Sequence, residues 1–478
     1  MFKRKLSLFS ACVIFCLAFS LTGTAIKGST TIGPNIPNTD PFILGFSDNI
    51  LLSTDDISYP HHVEPTIAIG DDDTIYAGWK NANGHNTGGV RVAFTKSMNG
   101  GKSFSNPSYM DYITEGITGQ SDPWMVFSDN RLYYAYLEYS ITGPYISQIT
   151  VATTMDGGAV WNYANGTDGD YFADKETMTV DNNGNIYIVY DDVGPETYVR
   201  LTRSSDFGLS FSERNIIVDS VNEPYDHVGP YVTTDSNNNI YVAWLRYTSE
   251  NWGDVYISKS ETQGMTFSTP MELNPIKENG TFTVSLDGYP SKVTLPVIRF
   301  DQNDRLYAMW NELSEVDGSW GIVMRFSDDY GEIWSDRFQI NQNVTGDQWQ
   351  PDFDIDSKGR LHIVYYDLQS NYFRPYYRMA FFENNLLSSI TITDAIPITE
   401  AETSSTFTRP GDYFTVRVDS KDIPHVVWSD GRNGEMDIYY SHGIKETRTG
   451  LIIGVSIGGC IVVSATIVTI IITVKRRK

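Results

Sequence analysis

The stretch TMDGGAVW at 154–161 is one of five copies of a short turn pattern, S/T-x-D-x-G-x-x-W/F. The other copies read SMNGGKSF at 97–104, SSDFGLSF at 204–211, SETQGMTF at 260–267 and SDDYGEIW at 327–334. The third position is Asp156, Asp206 or Asp329 in three copies, and Asn99 or Thr262 in the other two. Side-chain oxygens at the first and third positions accept backbone N–H groups in a tight turn, Gly supplies a positive φ, and the aromatic ring anchors the turn. Five copies at near-regular spacing predict a repeat architecture.

A longer unit surrounds these turns. It contains alternating apolar residues, a D-x-N-G-like turn and a second strand, and its Tyr or His recurs at intervals of 54 to 66 residues as Tyr76, Tyr133, Tyr187, Tyr241, Tyr307, His362 and His425. Each unit has four strands with period-two patterning, and no helical pattern precedes residue 451. Seven such units predict an all-β, seven-bladed propeller, with six blades as the alternative. The second-strand aromatics are expected to pack between blades: Trp79, Tyr136, Tyr190, Trp244, Trp310, Tyr365 and Trp428.

The two ends of the chain predict secretion and anchoring. Residues 1–25 have a basic start and an apolar run, which is typical of a signal peptide cut after Ala25. Residues 451–474 carry no charge and are long enough to span a bilayer as a helix, and the basic residues 475–478 are expected to stay cytoplasmic. The sequence therefore predicts a single-pass cell-membrane protein with an extracellular ectodomain. The alternative is a C-terminal processing signal that is removed at the surface.

Between these ends, residues 26–41 are a flexible lead-in, residues 42–445 the propeller, and residues 446–450 a short linker. The seventh unit lacks a fourth strand, so Phe42–Ser53 is predicted to supply it. The first and third strands of a blade run in the same direction. Their following turns therefore lie on one face, here called the bottom face, where the chain departs for the membrane. The opposite, top face is expected to point outward.

The charge of the chain limits its partners. With 35 Lys and Arg against 59 Asp and Glu, the net charge is −24. The two end segments hold seven basic residues and no acidic ones, so the ectodomain stands at −31. This charge argues against nucleic acid and anionic membranes, and favours cations or neutral ligands held by carboxylate hydrogen bonds. No cofactor is indicated with certainty. The cluster Asp71–Asp72–Asp73 is a candidate calcium site, whereas the other D-x-N-G-like turns lack the later bidentate Glu of a calcium loop.

The top face is the predicted location of a ligand site. Just beyond the second-strand aromatics, the seven units carry Asn81, Glu138, Asp192, Arg246, Glu312, Asp367 and Asp430. The nearby loops add Glu64, Asp122, Trp124, Asp174, Glu176, His227, Trp252, Trp320, Trp349, Asp352, Arg374, Arg409 and Arg432. Carboxylates and amides bind hydroxyl groups, and aromatic rings stack on sugars.

We assign ligand binding to Asn81, Glu138, Arg246, Asp430, Arg432, Trp252 and Trp320. For hydrolysis, the candidate catalytic carboxylates are Glu312, Asp367 and Asp192. The alternative for any one of these residues is a solvated loop charge. The glycosylation sequons begin at Asn165, Asn279 and Asn343.

The five turns resemble the Asp-box, or bacterial neuraminidase, repeats of the sialidase-like superfamily. The segment from Val427 to Asn433 is similar to repeats of its secreted prokaryotic members. The resemblance implies that the Asp boxes are structural and lie away from the active site. Sialidases use three arginines, a Tyr–Glu pair and an Asp acid/base. Their F-R-I-P sequence is absent here, and Arg91 is the only arginine between the signal and Ser97. We therefore expect a propeller that binds a glycan or a protein on its outward face. A surface glycoside hydrolase and a purely structural envelope protein are the alternatives.

Overall fold

A computed structural model describes residues 42–54, 59–84, 91–140, 146–167, 172–195, 197–212, 215–219, 226–249, 252–274, 285–286, 289–290, 295–313, 319–343, 345–382, 390–406 and 410–445. Within these ranges every regular element is a strand, and none of the segments is an apolar helix that could span a membrane. The predicted signal, lead-in, linker, membrane segment and basic tail lie outside the described residues.

Apart from one two-stranded hairpin, the described strands form seven antiparallel sheets in chain order, which confirms seven blades rather than six. Blade 1 comprises β3 (His61–Ile69), β4 (Ile75–Ala82), β5 (Arg91–Ser97) and β6 (Ser108–Tyr109). Blade 2 comprises β7 (Gly119–Ser128), β8 (Arg131–Ser140), β9 (Ile146–Thr154) and β10 (Asn162–Asn165). Blade 3 comprises β11 (Ala173–Val180), β12 (Ile186–Val193), β13 (Thr197–Ser204) and β14 (Asn215–Asp219). Blade 4 comprises β15 (Asp226–Thr234), β16 (Ile240–Ser249), β17 (Trp252–Ser260) and β18 (Met271–Glu272).

A hairpin of β19 (Ser285–Leu286) and β20 (Tyr289–Pro290) follows blade 4 in the chain. Blade 5 comprises β21 (Val297–Phe300), β22 (Leu306–Leu313), β23 (Trp320–Ser327) and β24 (Phe338–Gln339). Blade 6 comprises β25 (Asp347–Ile355), β26 (Leu361–Gln369) and β27 (Tyr372–Phe382), with β28 (Ile390–Ile392), β29 (Ile396–Pro397) and β30 (Thr403–Ser404) all pairing with β27. Blade 7 comprises β31 (Thr415–Val418), β32 (Pro424–Asp430) and β33 (Asp437–Lys445), and its outer position is filled by β1 (Ile43–Phe46) and β2 (Ile50–Leu51).

The ring closes where the two ends of the propeller meet. Ile43 pairs with Lys445, and Ile50 pairs with Tyr440, in antiparallel register. Ser53 donates a hydrogen bond to Asp437 at 3.1 Å. The early part of the chain thus supplies the fourth strand of the last blade and covers the edge of β33 that would otherwise be unpaired.

The turns between the first and second strands share one hydrogen-bond pattern. In blade 3, Asp181 accepts the backbone N–H groups of Asn183 and Asn185, and the Tyr187 hydroxyl at 3.1 Å. The corresponding aspartates of the later blades accept a hydrogen bond from the Tyr, or contact the His, six residues further on: Asp235, Asp301, Asp356 and Asp419. The recurring Tyr or His therefore stabilises the hairpin turn through its contact with the Asp of that turn.

The five turns that resemble Asp boxes, called Asp-box turns below, join the third and fourth strands of blades 1–5. In the second copy, the Thr154 hydroxyl donates to Asp156 at 2.8 Å and accepts the Gly158 N–H at 3.0 Å. The Asp156 carboxylate also accepts the Val160 N–H at 3.0 Å. In every copy both residues after the third position have a positive φ, for example 70° at Gly157 and 89° at Gly158. The turns are therefore closed by their own side chains.

The second-strand aromatics are fully buried, as expected for residues between blades. Trp79 of blade 1 packs in one core with Val427 and Tyr440 of blade 7. Trp244 of blade 4 packs with Tyr187 and other residues of blade 3. The hydrophobic core therefore runs around the ring between successive sheets.

Candidate functional site

Six of the seven polar residues predicted around the top face are buried, and they are held mainly within their own blades. The indole N–H of Trp79 donates to Asn81 at 2.6 Å, that of Trp310 to Glu312 at 3.1 Å, and that of Trp428 to Asp430 at 3.2 Å. In these three blades the residue two positions after the tryptophan satisfies a buried indole, whereas the Trp244 indole donates to His227 at 3.0 Å.

The remaining members of that set are held in a similar way. Glu138 accepts the Ile113 N–H at 3.0 Å, and the Arg200 guanidinium lies 2.8 Å from Asp192. Arg246 pairs with Asp254 at 3.3 Å. Asp367 accepts the Asn343 amide at 2.8 Å.

Among the proposed catalytic carboxylates, Glu312 also pairs with Arg337, Asp192 with Arg200, and Asp367 with side-chain amides. Their catalytic role stays a prediction. Arg432 stacks on Tyr439 and contacts Asp430. Trp320 is partly buried against the core of blades 6 and 7, and the side chain of Trp252 lies outside the described residues.

The described asparagines of the predicted glycosylation sites and the residues of the calcium candidate lie at the surface of the propeller. Asn165 and Asn343 are exposed, and Asn279 lies outside the described residues. In the calcium candidate, Asp72 accepts the Thr74 N–H at 3.0 Å, and Asp73 pairs with Lys421 of blade 7. A lysine thus supplies positive charge beside this carboxylate.

A different set of polar residues meets at the propeller axis, and a repeated backbone distortion positions it. The first strand of five blades has a β-bulge, and the residue with positive φ at the bulge is Glu64, Asp122, Lys175, Gly229 or Gln350. Their φ angles lie between 49° and 64°. A left-handed, non-Gly residue is strained by about 1 kcal/mol or more, and such strain concentrates at functional sites. Pro follows four of the five, consistent with the tolerance of bulges for a residue without an N–H.

Three of these bulge residues, Glu64, Asp122 and Lys175, belong to an axial cluster. We define the axial cluster as Glu64, Lys80, Asp122, Lys175, Glu176 and Asp412. Carboxylate oxygens of Glu64, Asp122 and Asp412, from blades 1, 2 and 7, all lie within 4.8 Å of one another. The Lys80 ammonium is 3.5 Å from Glu64, and that of Lys175 pairs with Asp412.

Burial and like charge govern the protonation of this cluster. Burial and the neighbouring Asp122 carboxylate raise the pKa of Glu64 to about 8, against the opposing effect of Lys80. Burial likewise raises the pKa of Glu176, and Asp122 adds to the increase. Neither carboxylate oxygen of Glu176 has a hydrogen-bond partner among the described residues. Burial lowers the pKa of Lys80, but the negative charges of Glu64 and Asp122 raise it by more, so the pKa of Lys80 lies above its ordinary value.

The cluster therefore holds a carboxylic acid at neutral pH beside ammonium groups. Its three-carboxylate spacing would also suit a cation, but Lys80 and Lys175 already supply positive charge there.

The cluster lies close to solvent on one side and against aromatic rings on the other. The side chain of Asp174 is 25 % exposed and lies 3.8 Å from the Lys175 ammonium. On the other side, Trp124 contacts Tyr231 and Tyr413 edge-to-face, at centroid distances of 5.5 and 5.6 Å. A cavity of about 230 Å³ follows on the bottom side of Trp124, lined in part by Arg299 and Arg417. The polar cluster is therefore confined to the top part of the axis.

The sequence identified only part of this cluster. Glu64, Asp122 and Glu176 were among the candidates in the top-face loops, whereas Lys80, Lys175 and Asp412 were not. One sequence feature marks these axial positions: the bulge residue precedes Pro in corresponding units, as in Glu64-Pro65, Asp122-Pro123 and Gln350-Pro351. Gly411 has a φ of 98°, and a Cβ at this residue would lie 2.8 Å from Glu64, so the close approach requires Gly.

No protein-family model matches the chain, and no curated protein sequence matches it. Among solved structures, a protein of unknown function from Dyadobacter fermentans superposes with a TM-score of 0.50 at 13 % identity, over 86 % of this chain and 100 % of that one. The chain therefore has a seven-bladed β-propeller fold. The phage phi92 endosialidase is also similar in structure, with a TM-score of 0.48 and 13 % identity over 86 % of this chain and 71 % of that one. A third similar structure is the GH93 α-L-arabinofuranosidase of Fusarium graminearum, with a TM-score of 0.46 and 12 % identity over 83 % of this chain and 97 % of that one. These likenesses concern the fold alone.

Proposed function

We propose that the chain is a membrane-anchored extracellular propeller that binds a glycan on its top face, over the axial cluster. The observation that carries the proposal is the convergence of carboxylates from three blades with two ammonium groups, close to the partly exposed Asp174. Carboxylates accept hydrogen bonds from sugar hydroxyls, and ammonium groups donate to hydroxyl and ring oxygens. Anchoring would come from residues 451–474, with the C-terminus in the cytoplasm.

The charge of the site narrows the ligand class. Four carboxyl groups and two ammonium groups belong to the cluster, and the ectodomain carries −31 overall. A neutral sugar or an amino sugar fits this environment better than an acidic one. A protein ligand is the alternative if no glycan binds.

Glycoside hydrolysis is a second candidate, and the protonation of Glu64 favours it. With a pKa of about 8, Glu64 would donate a proton to a departing glycosidic oxygen at neutral pH. Asp122, whose carboxylate approaches within 4.8 Å, would then act as the nucleophile or base. This short separation resembles the roughly 5 Å of retaining rather than inverting glycosidases.

The test uses the full chain reconstituted in phosphatidylcholine nanodiscs and applied to a glycan array. We expect binding to a subset of neutral or amino glycans, and a loss of at least about tenfold in affinity for Asp122→Asn, which corresponds to about 1.4 kcal/mol. The matched control is Asp181→Asn, which changes a buried carboxylate of a bottom-face turn to the same amide. The proposal is refuted if no glycan binds, or if both variants weaken binding equally.

Turnover separates binding from hydrolysis. The same samples are offered fluorogenic glycosides, including a sialoside. If a glycoside is cleaved, and Glu64→Gln abolishes cleavage while array binding persists, the hydrolase candidate is supported. Binding without cleavage of any substrate rejects it.

A further inference from the structure

We infer that the bottom face of the propeller contacts the lipid bilayer directly through a ring of apolar side chains. This inference rests on the proposed membrane anchoring. Thirteen large apolar side chains are exposed in the described part of the chain, and seven of them lie in Asp-box turns: Met98, Met155, Val160, Phe207, Leu209, Met265 and Ile333. Each of blades 1–5 contributes at least one. Met98 is 76 % exposed and Ile333 73 % exposed, so neither packs against its own blade.

Blade 7 continues the same ring. It has no Asp-box turn, but Leu44 and Ile444 are exposed beside the paired ends of β1 and β33. Lys445, the last residue of β33, contacts Lys421 in the turn between β31 and β32, so this end of the blade belongs to the bottom face. Nine of the thirteen exposed apolar residues thus lie on the bottom face. We define these nine residues as the bottom rim.

Contacts between turns establish that the bottom rim belongs to one face. Lys96, at the end of β5, donates to the carbonyl of Gly157 in the next Asp-box turn at 2.7 Å. Arg203 donates to Gln263 of the following Asp-box turn at 2.9 Å. Arg305, after the first turn of blade 5, pairs with Asp328 of its Asp-box turn at 2.5 Å. The Asp-box turns therefore lie beside the turns that end the first strands.

The short distance along the chain between the propeller and the apolar segment places the bottom rim next to the bilayer. Five residues separate Lys445 from the apolar segment that begins at Leu451, and an extended chain of that length reaches at most about 20 Å. The bottom rim is therefore tethered at the surface of the bilayer. Isolated methionine, leucine and isoleucine side chains around the edge of a face can insert at the boundary between headgroups and acyl chains. The strong negative charge of the ectodomain selects a zwitterionic rather than an anionic surface.

The experiment measures contact with lipid at single positions. The full chain, with Cys12→Ser, Cys16→Ser and Cys460→Ser, is reconstituted in phosphatidylcholine vesicles, and an environment-sensitive fluorophore is attached to Met155→Cys or Met265→Cys. The matched controls carry it at Tyr112→Cys or Tyr372→Cys, two exposed sites outside the bottom rim. With spin-labelled lipid, we expect the rim probes to lose at least about half of their fluorescence, because they lie at interfacial depth, and the control probes to be unaffected.

Flotation of the vesicles separates this inference from the anchoring on which it rests. If the chain fails to float with the vesicles after carbonate washing, anchoring is refuted, and the bilayer contact with it. If the chain floats but the rim probes are not quenched, the contact alone is overturned. A third outcome is that the rim probes report an apolar environment only in detergent at high protein concentration. The bottom rim then contacts a second copy of the chain, and the inference is also overturned.

Discussion

The pH dependence of stability provides a quantitative test of the axial cluster. The pKa of Glu64 rises from its ordinary value of 4.5 to about 8 in the folded protein, and its side chain is fully buried. Between these values the folded chain retains a proton that the unfolded chain releases. Stability from this group is therefore fully present below pH 4.5 and is lost as the pH rises towards 8.

The perturbation is Glu64→Gln, which replaces the protonated acid with a neutral amide of the same shape. One pKa unit corresponds to about 1.4 kcal/mol. As the pH rises from 4.5 to 7, the raised pKa of Glu64 alone therefore lowers the free energy of unfolding by about 3 kcal/mol. Above pH 8 the loss reaches about 5 kcal/mol. The variant lacks this proton, so its stability relative to the native chain should increase across that interval.

The assay is urea unfolding of the full chain in detergent micelles, followed by tryptophan fluorescence at half-unit steps from pH 4.5 to pH 8.5. We expect the two proteins to agree within about 1 kcal/mol at pH 4.5 and to separate with a slope approaching 1.4 kcal/mol per pH unit. The raised carboxyl of Asp191 titrates in both proteins and cancels in the difference, because burial, Asp174 and Asp122 raise its pKa. Parallel stability curves for the two proteins would refute the reasoning.

Two further predictions concern the Asp-box turns. Gly100 and Gly101 both have positive φ, but only a Cβ on Gly101 would overlap Tyr440 of blade 7. Gly100→Ala should therefore lower the free energy of unfolding by about 1 kcal/mol, and Gly101→Ala by about 1–3 kcal/mol more, in denaturant titration. Equal losses would contradict the ring-closing contact. Asp206→Ala removes the acceptor of the Ser210 N–H, and should lower the free energy of unfolding by about 1–2 kcal/mol. Asp206→Thr should retain most of that stability, because Thr262 accepts the Thr266 N–H at 2.9 Å in the fourth copy, and similar losses for both variants would reject this substitution rule.

The blade count could be predicted because the turns are local. The hydrogen bonds of an Asp-box turn join residues at most four positions apart, as in Thr154, Asp156 and Val160, so the sequence pattern contains the whole structure of the turn. The seventh blade could be completed for a related reason. The missing fourth strand of the seventh unit and the unassigned segment Phe42–Ser53 allow one solution in a closed ring.

The top-face site was harder to predict. Asn81, Glu312 and Asp430 were recognised as a repeated polar position, but the sequence did not reveal that an indole N–H two residues earlier would occupy each of them. Periodicity identifies equivalent positions in each blade. It does not distinguish a polar side chain that satisfies its own blade from one that faces the axis.

The sequence by itself determined the repeat, the number of blades and the face on which the Asp-box turns lie, because these follow from short-range hydrogen bonds and from strand direction. Only the tertiary structure decided which charged groups meet. Glu64, Asp122 and Asp412 are separated by 58 and 290 residues, and closure of the ring brings their carboxylates within 4.8 Å. Bulges in the first strands of blades 1 and 2 orient Glu64 and Asp122, and burial at the axis raises the pKa of Glu64. The convergence of the carboxylates and the raised pKa are not contained in the local sequence, because the neighbours that cause them come from other blades.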